Sequence, residues 1–211
     1  MNYSELEQRV RAVGVVPILQ PRSVDFCLAA IDALVEGGAS SIEIVLRSPD
    51  ALPALAEGKR RHPGLLFAAG TILEPEQYAR AVEAGADFCI SPGLDPVMMD
   101  VANKGPIRIV PGVQTASEVI AARRMGATLL KFYPSEPAGG TAVLADFGSI
   151  FSDVSFMPSG KIGMASLAAY GRLSNVASVG GSWMYMEAGA PLPWPEMTAR
   201  MQASLAAMTA T

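Results

Sequence analysis

The sequence predicts an α/β fold, a single-domain (β/α)8 (TIM) barrel over residues 1–211 with an extra N-terminal helix, and three observations lead there. Short apolar runs without polar alternation recur along the chain, as expected of strands buried on both faces. Stretches with apolar residues at helical spacing separate them. Three of those stretches end alike: Gly38-Ala39, Gly85-Ala86 and Gly126-Ala127 each precede an apolar run, with glycine supplying the left-handed turn back toward the sheet. A doubly wound open sheet shares this alternation, and periodicity does not separate the two.

Taken in order, Ser4 to Val13 places Leu6, Val10 and Val13 at helical spacing, with Ser4 and Glu7 in a capping-box pattern. This helix is expected to lie across one end of the domain. Strands are expected at 14–19, 41–46, 65–70, 86–90, 107–110, 128–132, 154–157 and 175–180. Helices are expected between them at 23–36, 49–62, 75–84, 95–104, 115–125, 140–149 and 164–173. A last helix at 194–208 follows the proline-rich turn Pro191-Leu192-Pro193-Trp194-Pro195. No linker, low-complexity segment or charge block divides the chain.

Half of the residues are hydrophobic and 17% are charged, so a large core is expected. A net charge of −4 argues against nonspecific nucleic-acid binding, which needs a basic surface. Cys27 and Cys89 lack CxxC spacing, so neither a disulfide framework nor a zinc site is expected. The polar start, Met1 to Arg11, lacks the apolar core of a signal peptide, and no apolar run approaches the ~20 residues that cross a bilayer. A cytoplasmic protein without nucleic-acid or membrane partners is the expectation.

The chemistry centres on Thr128-Leu129-Leu130-Lys131-Phe132-Tyr133-Pro134, an apolar strand with one lysine set into it. Desolvation disfavours a charged amine, and a neutral amine attacks carbonyl carbon. The alternative is a lysine that snorkels to a strand end or pairs with a carboxylate.

Barrel chemistry collects at the C-terminal ends of strands. In Ser41-Ile42-Glu43-Ile44-Val45-Leu46-Arg47, alternation puts Glu43, Val45 and Arg47 on one face, either lining the interior or forming an outward structural pair. Ala68-Ala69-Gly70-Thr71 is a strand end of small residues, open to close ligand approach, with a hydroxyl at its tip. Ser91-Pro92-Gly93 closes the fourth strand as a rigid turn. Pro158-Ser159-Gly160-Lys161 and Gly180-Gly181-Ser182 end the last two strands, where backbone N–H groups often form a phosphate site, or are simply tight turns. His62, in a charged helix tail, reads as solvated. The eleven methionines read as filler, and Trp183 and Trp194 as packing for the last connection.

These motifs together resemble the KDPG/KHG aldolase family, class I aldolases acting on 2-keto-3-deoxy-6-phosphogluconate and 4-hydroxy-2-oxoglutarate. The matching segments are Val15-Val16-Pro17-Ile18, Ile42-Glu43-Ile44-Val45-Leu46-Arg47, Ala69-Gly70-Thr71, Ile90-Ser91-Pro92-Gly93, Val110-Pro111-Gly112-Val113, Leu130-Lys131-Phe132-Tyr133-Pro134 and Gly180-Gly181-Ser182-Trp183. The resemblance implies a homotrimeric barrel without metal or organic cofactor, acting on a small-molecule 2-keto acid. It implies Lys131 as the Schiff-base lysine and Glu43 as general acid/base. Arg47 and Thr71 would hold the substrate carboxylate. Ser159, Gly160, Lys161, Gly180, Gly181 and Ser182 would form the phosphate pocket, with Pro92 and Phe132 walling the site.

Two departures touch the distal end of the substrate. Lys161 stands where the family usually has a glycine, either supplying a cation to phosphate or intruding on the pocket and favouring another acid. Gln20 stands where many relatives carry an arginine. The expected reaction is cleavage of 2-keto-3-deoxy-6-phosphogluconate to pyruvate and glyceraldehyde 3-phosphate. The alternatives are an aldolase for 4-hydroxy-2-oxoglutarate or an unphosphorylated sugar acid, and a non-catalytic barrel that binds a sugar acid or phosphate.

Overall fold

The computed structural model describes residues 1–209. It runs from α1 (Tyr3–Val13) through β1 (Gly14–Leu19), α2 (Val24–Glu36), β2 (Ser41–Val45), α3 (Ala51–Arg61) and β3 (Leu66–Gly70). The alternation continues with α4 (Pro75–Glu83), β4 (Phe88–Ile90), α5 (Pro96–Lys104), β5 (Ile109–Val110), β6 (Gly112–Val113), α6 (Ala116–Arg124) and β7 (Leu129–Phe132). A 3-10 turn at Glu136–Ala138 precedes α7 (Gly140–Ile150), followed by β8 (Ser155–Pro158), α8 (Met164–Gly171) and β9 (Ser178–Gly181). A short antiparallel hairpin of β10 (Met186–Glu187) and β11 (Ala190–Pro191) leads into α9 (Trp194–Thr209). Among these residues no helix is long and apolar enough to cross a membrane.

The Gly-Ala repeat behaves as the sequence predicts. Gly38, Gly85 and Gly126 have φ of 95°, 87° and 87°, the left-handed region open to glycine. Each following alanine N–H donates back into the preceding helix: Ala39 to Leu34 O, Ala86 to Ala81 O, and Ala127 to Ala122 O, at 2.9, 3.0 and 3.1 Å. The same local chemistry thus docks three helices onto three strands.

The strands do not form one continuous ladder. Six lie parallel in the order β5-β4-β3-β2-β1-β9, and three more in the order β6-β7-β8. The fifth strand, expected at 107–110, starts at Ile109 and is separated from β6 by Pro111, which has no N–H to give a ladder, although its carbonyl accepts from Lys131 N–H at 2.9 Å. Between β8 and β9 only isolated bridges occur, Phe156 to Val176 and Ser159 to Gly180.

Two apolar clusters follow from strand alternation. The larger one lies between strands and helices and includes Ile42, Ile44, Leu130 and Phe132. The smaller is lined by the opposite strand faces, including Val16, Ala68, Ile90 and Leu129, and is sealed by Leu6, Val10 and Val13 of α1. Tyr3 Oη fixes this helix by donating to Ile109 O at 2.6 Å. Its cap differs from the expected one: Asn2 and Glu5 form the capping box, because Ser4 already lies inside the helix. Glu7 instead accepts from Ser155 Oγ at 2.6 Å and from Arg11 at 3.0 Å. With α1 across one end, the interior opens at the other, where the C-terminal ends of the strands lie.

Candidate active site

Glu43 sits mid-way along β2, whose five residues are all buried. Its isoleucine neighbours take the helix-facing layer, so alternation sends the carboxylate inward. The adjacent strand makes room: a Cβ on Gly70 would stand 2.2 Å from Glu43 Oε1. The small residue closing β3 therefore admits a carboxylate of the protein itself, not a direct ligand contact.

Lys131, on β7, meets that carboxylate, with Nζ 3.2 Å from Glu43 Oε1. The two residues are 9% and 2% exposed. Nζ also lies over the Tyr133 ring, 5.5 Å from its centroid. Among the described residues neither side chain has another hydrogen-bond partner. Desolvating two charges costs several kcal/mol each, and a pair this sparsely bonded returns little net stability. Its retention points to use beyond folding.

Above the pair opens a cavity of about 260 Å³. Glu43, Val45 and Arg47 all line it, as their shared strand face predicts, together with Lys131. Ser159, Gly160, Lys161, Gly181 and Ser182 line the remainder, and Gly180 borders a small void beneath. Ser159 Oγ is buried without a hydrogen-bond partner, an uncommon state for a hydroxyl beside a cavity. Gly160 and Lys161 both adopt positive φ, 102° and 62°, so Lys161 holds a conformation that costs a side-chain-bearing residue roughly 1–2 kcal/mol. Its side chain is exposed and unpaired among the described residues.

Thr71 lies outside the cavity lining but accepts from Arg47 Nε at 3.2 Å. This β-branched residue also has a positive φ, 61°, strain of a kind that persists where surroundings enforce it. Arg47 makes no ion pair among the described residues and is free to meet an anion.

Two expected wall residues lie elsewhere. Phe132 is fully buried and faces the helices, packing edge-on against Phe147 and Phe156 at 6.1 and 6.5 Å. It follows Lys131 directly, so the alternation that turns the lysine inward turns the ring outward. Pro92 is also absent from the lining; its carbonyl presses on Gly112, where a Cβ would stand 2.1 Å away. The walls are instead Ile18, Tyr133, Ile162 and Tyr185, with Gln20 at the rim. Tyr133 was within reach of sequence reasoning, since it sits two residues beyond Lys131 on the same face. Tyr185 had no such signal.

Burial pushes the Cys27 and Cys89 thiols up to about 12, which leaves neither as a thiolate nucleophile. His62 is bound at the surface to Asp32, with Nε2 to Oδ1 at 2.7 Å. Among the described residues no three His, Cys, Asp or Glu side chains gather as metal ligands.

A buried amine beside a carboxylate, opening onto a cavity with a free guanidinium, is the equipment of a carbon–carbon lyase that works through an imine. Comparison with known proteins agrees. The family model for KDPG and KHG aldolase matches residues 6–190. The KHG/KDPG aldolase of Escherichia coli K12 is 36% identical over 184 residues, covering 87% of this chain and 86% of that protein. The 2-dehydro-3-deoxy-phosphogluconate aldolase of Pseudomonas aeruginosa is 35% identical over 186 residues, 88% and 84% of the two chains. Among solved structures, the 2-keto-3-deoxy-6-phosphogluconate aldolase of Zymomonas mobilis ZM4 with 3-phosphoglycerate superposes with a TM-score of 0.89 at 32% identity, covering 96% and 95%. KDPG aldolase from Legionella pneumophila, with pyruvate captured as a covalent carbinolamine, gives 0.87 at 33% identity, covering 94% and 97%. The chain belongs to the KDPG and KHG aldolase family and is an aldolase.

Proposed function

We propose that this protein is a class I aldolase that cleaves 2-keto-3-deoxy-6-phosphogluconate to pyruvate and glyceraldehyde 3-phosphate, with Lys131 as nucleophile. The observation that carries it is the Lys131 amine, buried and 3.2 Å from Glu43 Oε1 beneath the cavity. Free amine attacks the C2 carbonyl, and loss of water from the carbinolamine leaves an iminium. Glu43 supplies the proton for dehydration and then takes the C4 hydroxyl proton. The C3–C4 bonding electrons flow into the iminium, the aldehyde departs, and an enamine remains. Protonation at C3 and hydrolysis release pyruvate and restore the amine. Arg47, oriented by Thr71, holds the substrate carboxylate. Ser159, the glycine turns and Ser182 hold the distal phosphate, with Lys161 adding a cation at the rim.

Borohydride trapping tests this. Pyruvate and reductant should leave a stable adduct on Lys131, located by peptide mass spectrometry; an unmodified lysine would favour a non-catalytic binding protein. Lys161 motivates a second reading, in which 4-hydroxy-2-oxoglutarate or an unphosphorylated sugar acid is preferred. Comparing kcat/KM among the three substrates separates them.

The same reading treats residues 1–211 as one catalytic domain whose two parallel sheets close into a (β/α)8 barrel. In its support, one residue separates β5 from β6, and bridges link β8 to the β9 segment. It also takes the protein as a cytoplasmic homotrimer, which light scattering on the purified protein tests for assembly.

A further inference from the structure

The cavity does not end at the glycine turns. Gln20 and Tyr185 line it and also line a neighbouring chamber of about 270 Å³ that is open to the surface and bordered by Pro21, Arg22, Met186 and Gly189. This chamber lies between the β1–α2 connection and the β10–β11 hairpin, tied together where Arg22 Nη2 donates to Gly189 O at 2.9 Å. Tyr185 is the wall between the two spaces.

The residue is anchored through its backbone and its hydroxyl. Tyr185 is 4% exposed, its N–H donates to Ser182 O at 3.1 Å, and its own carbonyl accepts from Leu192 N–H at 2.9 Å. The phenolic oxygen accepts the Gln20 N–H at 3.0 Å. Among the described residues nothing accepts the phenolic proton in return. Burial raises the Tyr185 pKa above the ordinary phenol value, so the group enters the neutral range as a donor. A buried donor left idle at a cavity wall is unusual, because such groups are paired in most folded proteins.

The pyruvate half of a substrate lies between Lys131 and Arg47 on the aldolase reading, which this inference rests upon. The aldehyde half then faces Ser159, Lys161, Ser182 and Tyr185. We infer that Tyr185 is a substrate-binding residue, donating its hydroxyl proton to an oxygen on the terminal carbon of the aldehyde half and limiting the length of that half. The acceptor is a phosphate-ester oxygen or a terminal hydroxyl, the same hydrogen-bond chemistry on two compounds.

The test is Tyr185→Phe, which removes the proton and keeps the ring. For 2-keto-3-deoxy-6-phosphogluconate, KM should rise about tenfold with kcat nearly unchanged, the scale of one hydrogen bond. The shorter 4-hydroxy-2-oxoglutarate, whose aldehyde half is glyoxylate, should keep its kcat/KM within about twofold. A loss shared by 2-keto-3-deoxygluconate assigns the terminal oxygen, and a loss confined to the phosphorylated compound assigns the phosphate; both support the inference. Tyr185→Ala should open the wall and raise relative kcat/KM for a seven-carbon 2-keto-3-deoxy acid. Equal losses on long and short substrates, or no loss on either, would overturn it. Pyruvate trapping on Lys131 in the unaltered protein is the separate control: failure there sinks the aldolase reading itself, whereas normal trapping with an indifferent Tyr185→Phe sinks only this inference.

Discussion

The two halves of the cavity are built differently. Glu43 and Lys131 project from strands, both buried, and Glu43 is fixed by Gly70, which cannot gain a side chain without moving it. The other half is made of turns: Ser159-Gly160-Lys161 after β8 and Ser182 directly after β9, with the Lys161 and Ser182 side chains exposed and two consecutive positive-φ residues. Strands hold a geometry to fractions of an ångström, while turns accept substitution without disturbing the sheet. The difference teaches where each kind of change will show. Altering the strand half should damage bond cleavage itself, and altering the turn half should change which acid is cleaved.

The sharpest break in that comparison is Glu43→Gln. It preserves shape while removing the proton acceptor, so kcat should fall by about 10²–10⁴-fold with substrate binding kept. Steady-state kinetics and a substrate titration check the two parts separately. Gly70→Ala comes next. Its new Cβ would collide with Glu43 Oε1, at 2.2 Å, and should displace the carboxylate. Turnover should drop by roughly 10–100-fold although residue 70 touches no substrate, since small misplacements of catalytic groups are costly.

On the turn side, Lys161→Gly should leave kcat nearly intact. It should lower kcat/KM for the phosphorylated substrate about fivefold relative to the unphosphorylated one, as fits an exposed charge. The same change relieves a φ of 62°, so thermal unfolding should show stability raised by up to about 1 kcal/mol. Smallest is the cap of α1, remote from both halves. Asn2→Ala should cost about 1 kcal/mol in denaturant unfolding and Ser4→Ala almost nothing, with activity unchanged in each.

Much of the strand half was legible in the sequence, because a charged residue inside an apolar run is conspicuous and strand alternation says which way it points. Glu43, Val45 and Arg47 lie together for that reason. The Gly-Ala helix ends were legible because positive φ selects glycine at a fixed place. Phe132 misleads because neighbours in a motif face opposite sides of a strand. Pro92 and Gly70 serve other protein groups, Gly112 and Glu43, across strands whose spatial closeness no local pattern encodes. The break at Pro111, the β10–β11 hairpin and Tyr185 depend on tertiary packing. The cap of α1 lies two residues upstream because Asn2 with Glu5 satisfies the same capping pattern as Ser4 with Glu7.

The central claim is that Lys131 and Glu43 act together to make and protonate an enamine. The most direct measurement is proton NMR of pyruvate in deuterium oxide with the protein present and no aldehyde. The C3 methyl signal should wash out with the intact protein, more slowly by orders of magnitude with Glu43→Gln, and at the buffer rate with Lys131→Ala. A methyl signal that persists with the intact protein, or that disappears equally fast without the lysine, would contradict it.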